Sequence, residues 1–187
     1  REEVKMKSII LVGYMGAGKT TVGKTLAKRL GRAFYDLDWY IEHRYHKRIP
    51  EIFAESGEDG FRKIECRMLH EVAEFENIVL ACGGGTPCFF DNMDYMNAVG
   101  TTVFLEASTD TIVNHLKISH TQRPLLQDKT GEELRAFIDG QLVQRDPYYS
   151  KAQYVFNVDI LDNFDKINHL VNHITDVLVQ EDGKMEN

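Results

Sequence analysis

The chain has 187 residues, a length that fits one domain with a substantial core. A formal net charge of −7 argues against a nucleic-acid binder, and no apolar run approaches the ~18 residues that a membrane span needs. Cys66, Cys82 and Cys88 have no framework spacing, so reduced thiols in a cytoplasmic protein are the simplest reading; no signal-peptide pattern opens the chain, and Met6 fits a native start.

Ser8 to Val12 is a short apolar run and reads as a buried strand. It leads into Gly13-Tyr14-Met15-Gly16-Ala17-Gly18-Lys19-Thr20, which has the form G-x-x-x-x-G-K-[ST] of a phosphate-binding loop. Its glycines let backbone N–H groups approach phosphate oxygens, Lys19 brings positive charge to the β/γ-phosphates, and the Thr20 hydroxyl can ligate Mg²⁺. Val22, Leu26, Ala27 and Leu30 recur at helical spacing, so a helix over 20–30 follows the loop. An anion at that helix N-terminus meets the positive end of its dipole.

Ala33 to Asp36 reads as a second strand, with Asp36 and Asp38 as D-x-D at its end. Paired carboxylates beside a phosphate loop fit a metal contact plus a contact to an attacking hydroxyl; a helix cap near Trp39 is the plainer use of one of them. Helical patterns cover 38–46 and 61–75. Arg62 and Glu65 stand three apart at the start of the latter. They fit either a surface ion pair or a carboxylate-held guanidinium fork that grips a substrate carboxylate. Ile78 to Ala81 reads as a third strand and runs into Gly83-Gly84-Gly85, where either a plain turn or a substrate lying against the Gly84 backbone explains three glycines.

Thr102 to Leu105 and Tyr154 to Asn157 complete five strands, and helical patterns lie at 108–118, 131–145 and 165–179. Strands alternating with amphipathic helices predict an α/β fold with a parallel sheet covered on both faces and ligands at the strands' carboxyl ends. The polar stretch from His120 to Gly131, with Arg123-Pro124, breaks two helical patterns and reads as a mobile loop. An arginine there, Arg123, can close over ATP; Arg145 stands near the end of the next helix. All seven histidines are read as structural, and 180–187 reads as a polar tail.

Together these motifs resemble the shikimate kinase family, from about residue 8 to 160. The resemblance rests on Gly13-x-x-Gly16-x-Gly18-Lys19-Thr20-Thr21, Phe34-Tyr35-Asp36-x-Asp38, Gly60-Phe61-Arg62-x-x-Glu65, Gly83-Gly84-Gly85-Thr86, Arg123-Pro124-Leu125-Leu126 and Arg145-x-Pro147-Tyr148-Tyr149. It implies the fold of nucleoside monophosphate kinases: a P-loop kinase with a five-stranded parallel sheet flanked by helices, a substrate-binding helical segment about 38–65 and a mobile lid about 120–130, within a single domain spanning 1–187. It implies phosphorylation of the shikimate 3-hydroxyl by ATP with Mg²⁺, a step toward the aromatic amino acids, in a cytoplasmic monomer.

The residue roles follow from the same resemblance. Gly16, Ala17, Gly18, Lys19, Thr20 and Thr21 wrap the phosphates, with Thr20 and Asp36 on Mg²⁺. Asp38 meets the substrate hydroxyls and orients the acceptor. Arg62 and Arg145 grip the shikimate carboxylate, with the Gly84 backbone against the substrate. Arg123 faces ATP, and Lys19, Asp38 and Arg123 form the catalytic set. Lys117 is the candidate where family members often carry an adenine-stacking arginine. A gluconate kinase with the same loop, or an ATP-binding regulator without turnover, is the alternative; no N-K-x-D motif marks a GTPase.

Overall fold

The structure is a computed structural model and describes residues 7–118, 129, 131–159 and 161–184. Arg123, Pro124 to Leu126 and the expected lid, Lys129 apart, lie outside the described residues, as does Met6. Five strands form one sheet: β1 (Ile9–Val12), β2 (Ala33–Asp36), β3 (Ile78–Ala81), β4 (Thr101–Glu106) and β5 (Tyr154–Asn157). Their order is β2-β3-β1-β4-β5, and all four pairings are parallel.

The central strands are apolar on both faces because both faces are covered. Along β1, Ile10 and Val12 join a core with Leu37, Ile41, Phe61, Leu69 and Met96. Ile9 and Leu11 face the opposite core, with Val22, Leu26, Val171 and Ile174. Period-2 alternation of one strand thus seeds both layers. The first layer is built by α2 (Leu37–Tyr45), α3 (Ile49–Val72) and α4 (Asn92–Val99); the second by α1 (Lys19–Leu30) and α7 (Phe164–Lys184). Between them in sequence, α5 (Thr109–Ile118) and α6 (Gly131–Tyr149) pack on Tyr14 through Ile112, Val113 and Ile138.

Three helical features differ from the sequence reading. First, α3 begins at Ile49 rather than 61 and bends at Gly57, whose φ of +68° is left-handed. The break hides the first half, since 3.6-residue periodicity does not continue across it. Second, α4 was not expected: its two turns bury only Asn92, Met93 and Met96, too few repeats for a periodic signal. Third, 180–184 is not tail but the last turn of α7, a helix held down through Val171, Ile174 and Leu178. In addition, α6 runs through Pro147 to Tyr149, which places Arg145 and Tyr149 one turn apart on the same buried face.

At the exit of β1 the chain turns through Gly13, φ +148°, where an added Cβ would lie 2.6 Å from the Leu105 carbonyl oxygen. Gly140, in the middle of α6, is exposed and has nothing within 4 Å of its missing Cβ. Gly13→Ala is therefore expected to lower the unfolding free energy by about 2 kcal/mol or more, from strain and a backbone clash. Gly140→Ala is expected to raise it by about 0.5–1 kcal/mol, the helix-propensity gain. Urea denaturation of both variants checks this pair; similar shifts would contradict it.

Candidate active site

The motifs that follow β1, β2 and β3 converge because those strands are neighbours in the sheet. Their carboxyl ends open onto a cavity of about 410 Å³ lined by Gly16 to Val22, Asp36, Asp38, Cys82, Gly83 and Gly84. Across its mouth, Lys19 Nζ donates to the Tyr14 carbonyl at 3.0 Å and to the Gly13 carbonyl. Lys19 is 8% exposed as a residue, and its ammonium is held inside the loop by these two carbonyls.

Asp36 has two uses at once. One carboxylate oxygen accepts the Trp39 N–H at 3.1 Å and caps α2, as its place before Leu37 dictates. The other accepts the Thr20 hydroxyl at 3.3 Å. The capping use and the position beside the loop threonine therefore coexist. Asp38 reaches the same cavity from the helix that follows. The chain turns into helix at Leu37, and Asp38 sits in the first turn of α2.

The triple glycine resolves into three separate spaces. A Cβ on Gly83 would lie 3.1 Å from an Asp38 carboxylate oxygen. On Gly84 it would lie 3.1 Å from Arg145 Nη1 and 3.2 Å from the Met15 nitrogen of the phosphate loop. On Gly85 it would lie 2.6 Å from Arg62 Nη2. Consecutive residues thus make room for one carboxylate and two guanidinium groups. Consecutive Cα atoms are ~3.8 Å apart, so the three charged ends gather along roughly 7 Å of backbone.

Arg62 and Glu65 do not form a surface pair. Arg62 is 5% exposed and Glu65 1%, with Arg62 Nη1 donating to Glu65 Oε1 at 3.0 Å. The other Glu65 oxygen accepts the Thr86 hydroxyl at 2.9 Å. Burial pushes the Glu65 carboxyl above its ordinary range, while Arg62, Thr86 and Arg145 act against that rise. The Phe89 ring covers the Arg62 guanidinium at 4.2 Å. Arg145 lies 5.2 Å over the Tyr14 ring, and the Tyr149 hydroxyl donates to the Gly84 carbonyl at 2.5 Å. Burial raises the Tyr149 hydroxyl well above its ordinary range, which keeps it a donor.

Two buried donors in this cluster, Arg62 Nε and Arg145 Nη1, have no acceptor among the described residues. A buried cationic N–H without an acceptor is costly, so two of them beside one turn suit an anionic ligand.

Sequence reasoning missed Tyr14, Phe89 and His115. Tyr14 occupies a variable loop position, and nothing in the sequence marks Phe89. His115 was read as structural, yet it lines the cavity, and its Nδ1 lies 2.5 Å from the Gly16 carbonyl. From the same helix Ile118 also lines the cavity, joined by Leu161 and Ile167. Lys117, the sequence candidate for the adenine, is exposed and not among the lining residues. The three cysteines are free thiols, and burial raises the Cys82 thiol far above its ordinary range. No described helix is long and apolar enough to cross a membrane.

Known proteins share this fold and much of this sequence. The family model "Shikimate kinase" matches residues 15–178. A shikimate kinase of Parabacteroides distasonis is 52% identical over 173 residues, covering 92% of this chain and 100% of the relative. The crystal structure of shikimate kinase from Bacteroides thetaiotaomicron superposes with a TM-score of 0.90 at 52% identity, covering 92% of this chain and 98% of that one. Shikimate kinase from Acinetobacter baumannii in complex with shikimate gives 0.83 at 35% identity, covering 94% of each chain. A gluconokinase from Sinorhizobium meliloti gives 0.60 at 16% identity, over 96% of this chain and 95% of that one, a likeness of fold alone. Matched along most of its length by the family model and half identical to full-length relatives, the chain belongs to the shikimate kinase family.

Proposed function

We propose that this chain transfers the γ-phosphoryl group of ATP to the 3-hydroxyl of shikimate, and that its residues divide the work as their positions suggest. The observation that carries the reading is the placement of Asp38, Arg145 and Arg62 against Gly83, Gly84 and Gly85, beside the phosphate loop. A small ring with a carboxylate at one end and hydroxyls at the other matches two guanidinium groups and a carboxylate so spaced. ATP lies along Gly16 to Thr21, where the first amides of α1 and Lys19 meet its phosphates. Arg62 and Arg145 take the substrate carboxylate with the donors that lack an acceptor among the described residues. Asp38 accepts a hydrogen bond from the attacking hydroxyl and aligns it with the γ-phosphate. Arg123 is assigned to the phosphate charge on its sequence motif alone.

Thr20 and Asp36 fit Mg²⁺. Both offer hard oxygen atoms, they touch each other, and both line the cavity. No group of three or more His, Cys, Asp or Glu among the described residues is placed to hold a metal. The ion would thus depend on phosphate oxygens and water as well as on the protein, the usual habit of Mg²⁺. When bound, it neutralises charge on the β- and γ-oxygens. We further take the chain to act as a single-domain, cytoplasmic monomer with no nucleic-acid or membrane partner.

The direct test is coupled ADP release with shikimate, gluconate and nucleoside monophosphates as acceptors. Turnover with shikimate well above the others is expected; turnover without it, or a preference for gluconate, would overturn the reading.

Lys19→Met is expected to lower kcat by about 100-fold or more, since it removes the charge that meets the transferring phosphoryl group. Circular dichroism should remain that of the wild type. Near-normal turnover in the folded variant would contradict the role of the loop.

For the arginines, alanine is a poor probe at 62. It would strand the buried Glu65 carboxylate and destabilise the fold by about 3–5 kcal/mol. Arg62→Lys keeps the charge and loses the planar fork. This variant and Arg145→Ala should each weaken shikimate use by about 1.5–3 kcal/mol, which is roughly ten- to a hundredfold in KM. The ATP KM should move far less. Equal losses on both substrates, measured by steady-state kinetics, would assign the arginines to structure.

Asp36→Asn should raise the Mg²⁺ concentration needed for half-maximal rate, whereas Asp38→Asn should lower kcat at saturating Mg²⁺. Superimposable Mg²⁺ titrations of wild type and Asp36→Asn would remove Asp36 from the metal's surroundings.

A further inference from the structure

The crest of the phosphate loop rests on α5. Gly16 has φ +80°, and an added Cβ would come within 3.4 Å of the Ile112 carbonyl oxygen, 3.5 Å of Leu116 Cγ and 3.7 Å of His115 Cβ. His115 is partly buried there, lines the cavity, and places Nδ1 2.5 Å from the Gly16 carbonyl oxygen. A carbonyl oxygen only accepts, so the contact requires the tautomer with its proton on Nδ1.

Three other carbonyls of the loop are engaged as well, those of Gly13, Tyr14 and Gly18. Lys19 takes those of Gly13 and Tyr14, the Ala17 N–H donates to the Tyr14 carbonyl at 3.1 Å, and the Val22 N–H donates to the Gly18 carbonyl at 2.9 Å. The Gly16 carbonyl is held by a side chain from α5, a helix about a hundred residues further along the chain. A peptide is planar, with its carbonyl and N–H pointing in opposite directions. Fixing the Gly16 carbonyl therefore fixes the plane of the 16–17 peptide, the turn from which α1 starts. The first N–H groups of α1 have no acceptor inside the helix and are the donors that a phosphate meets.

We propose that His115 is a positioning residue of the nucleotide site, holding the crest of the phosphate loop through the Gly16 carbonyl so that its amides are aimed before ATP arrives. The proposal rests on the reading of this loop as the ATP site. Preorganised donors bind without a cost of reorientation. Loss of the contact should thus appear in nucleotide affinity and leave the shikimate end of the cavity, built on α3, α6 and the glycine turn, unaffected.

The test is calorimetric titration of ATP with Mg²⁺ into wild type, His115→Ala and His115→Asn, with steady-state KM values for both substrates. His115→Ala should raise the ATP dissociation constant roughly five- to tenfold, the worth of one hydrogen bond. The shikimate KM should change less than about twofold, within what an unaffected site shows. Asparagine carries an N–H near the place of Nδ1, so His115→Asn should recover most of the affinity. Nitrogen NMR of the wild type should find His115 protonated on Nδ1. Unchanged ATP affinity in His115→Ala, equal loss in the alanine and asparagine variants, equal weakening of both substrates, or a ring protonated only on Nε2 would each overturn the proposal. A wild type that does not bind ATP would overturn the functional reading itself, an outcome distinct from a wild type that binds and a variant that binds equally well.

Discussion

Glu65 is the point on which the buried arginine cluster beside the cavity depends. Its carboxylate is buried between α3 and the turn after β3, with Arg62 on one oxygen and the Thr86 hydroxyl on the other. A buried carboxylate without such partners is strongly disfavoured, so the three groups are bound to one arrangement. That arrangement sets where the Arg62 guanidinium lies, and its position against Gly85 leaves no room for a Cβ there. The pair thus links a helix to a loop from another strand. It also presents a cation that the described residues do not fully satisfy.

The rest of the cavity follows from sheet order. Because β2, β3 and β1 lie side by side and parallel, their carboxyl ends deliver the D-x-D, the glycine turn and the phosphate loop to one edge of the molecule. The Gly84 backbone then packs on Met15 of the loop, and Arg145 spans from α6 to the Tyr14 ring. The phosphate end and the arginine end therefore share a wall. Phosphoryl transfer requires both reactants at a fixed separation, and a common wall holds the two ends of the site in register.

Much of this architecture was legible in the residues. Apolar runs at 9–12 and 78–81 are continuous because those strands are buried on both faces. The glycines and lysine of the phosphate loop are local chemistry, recognisable at any place in a chain. Other features were not legible, for physical reasons. The two turns of α4 are too short for periodicity, and the bend at Gly57 divides α3 into stretches that do not share one apolar face. His115 belongs to a helix far along the chain from Gly16, and nothing near either residue records that they meet.

Neighbouring residues alone record the chemistry the chain carries: a phosphate cradle, two carboxylates two residues apart, an arginine with a carboxylate three residues on, and alternation of strands and helices that points to a parallel sheet. Those are short-range properties, written in neighbouring residues. Only the tertiary structure decided between the readings that spacing left open. Spacing allows Arg62 and Glu65 an exposed pair, yet they are buried against the glycine turn that borders the cavity. Spacing allows three glycines to be a plain turn, yet each faces a different charged side chain brought from α2, α6 or α3. Burial and close approach arise between segments separated by tens of residues. They depend on how the sheet orders its strands, which no local pattern contains.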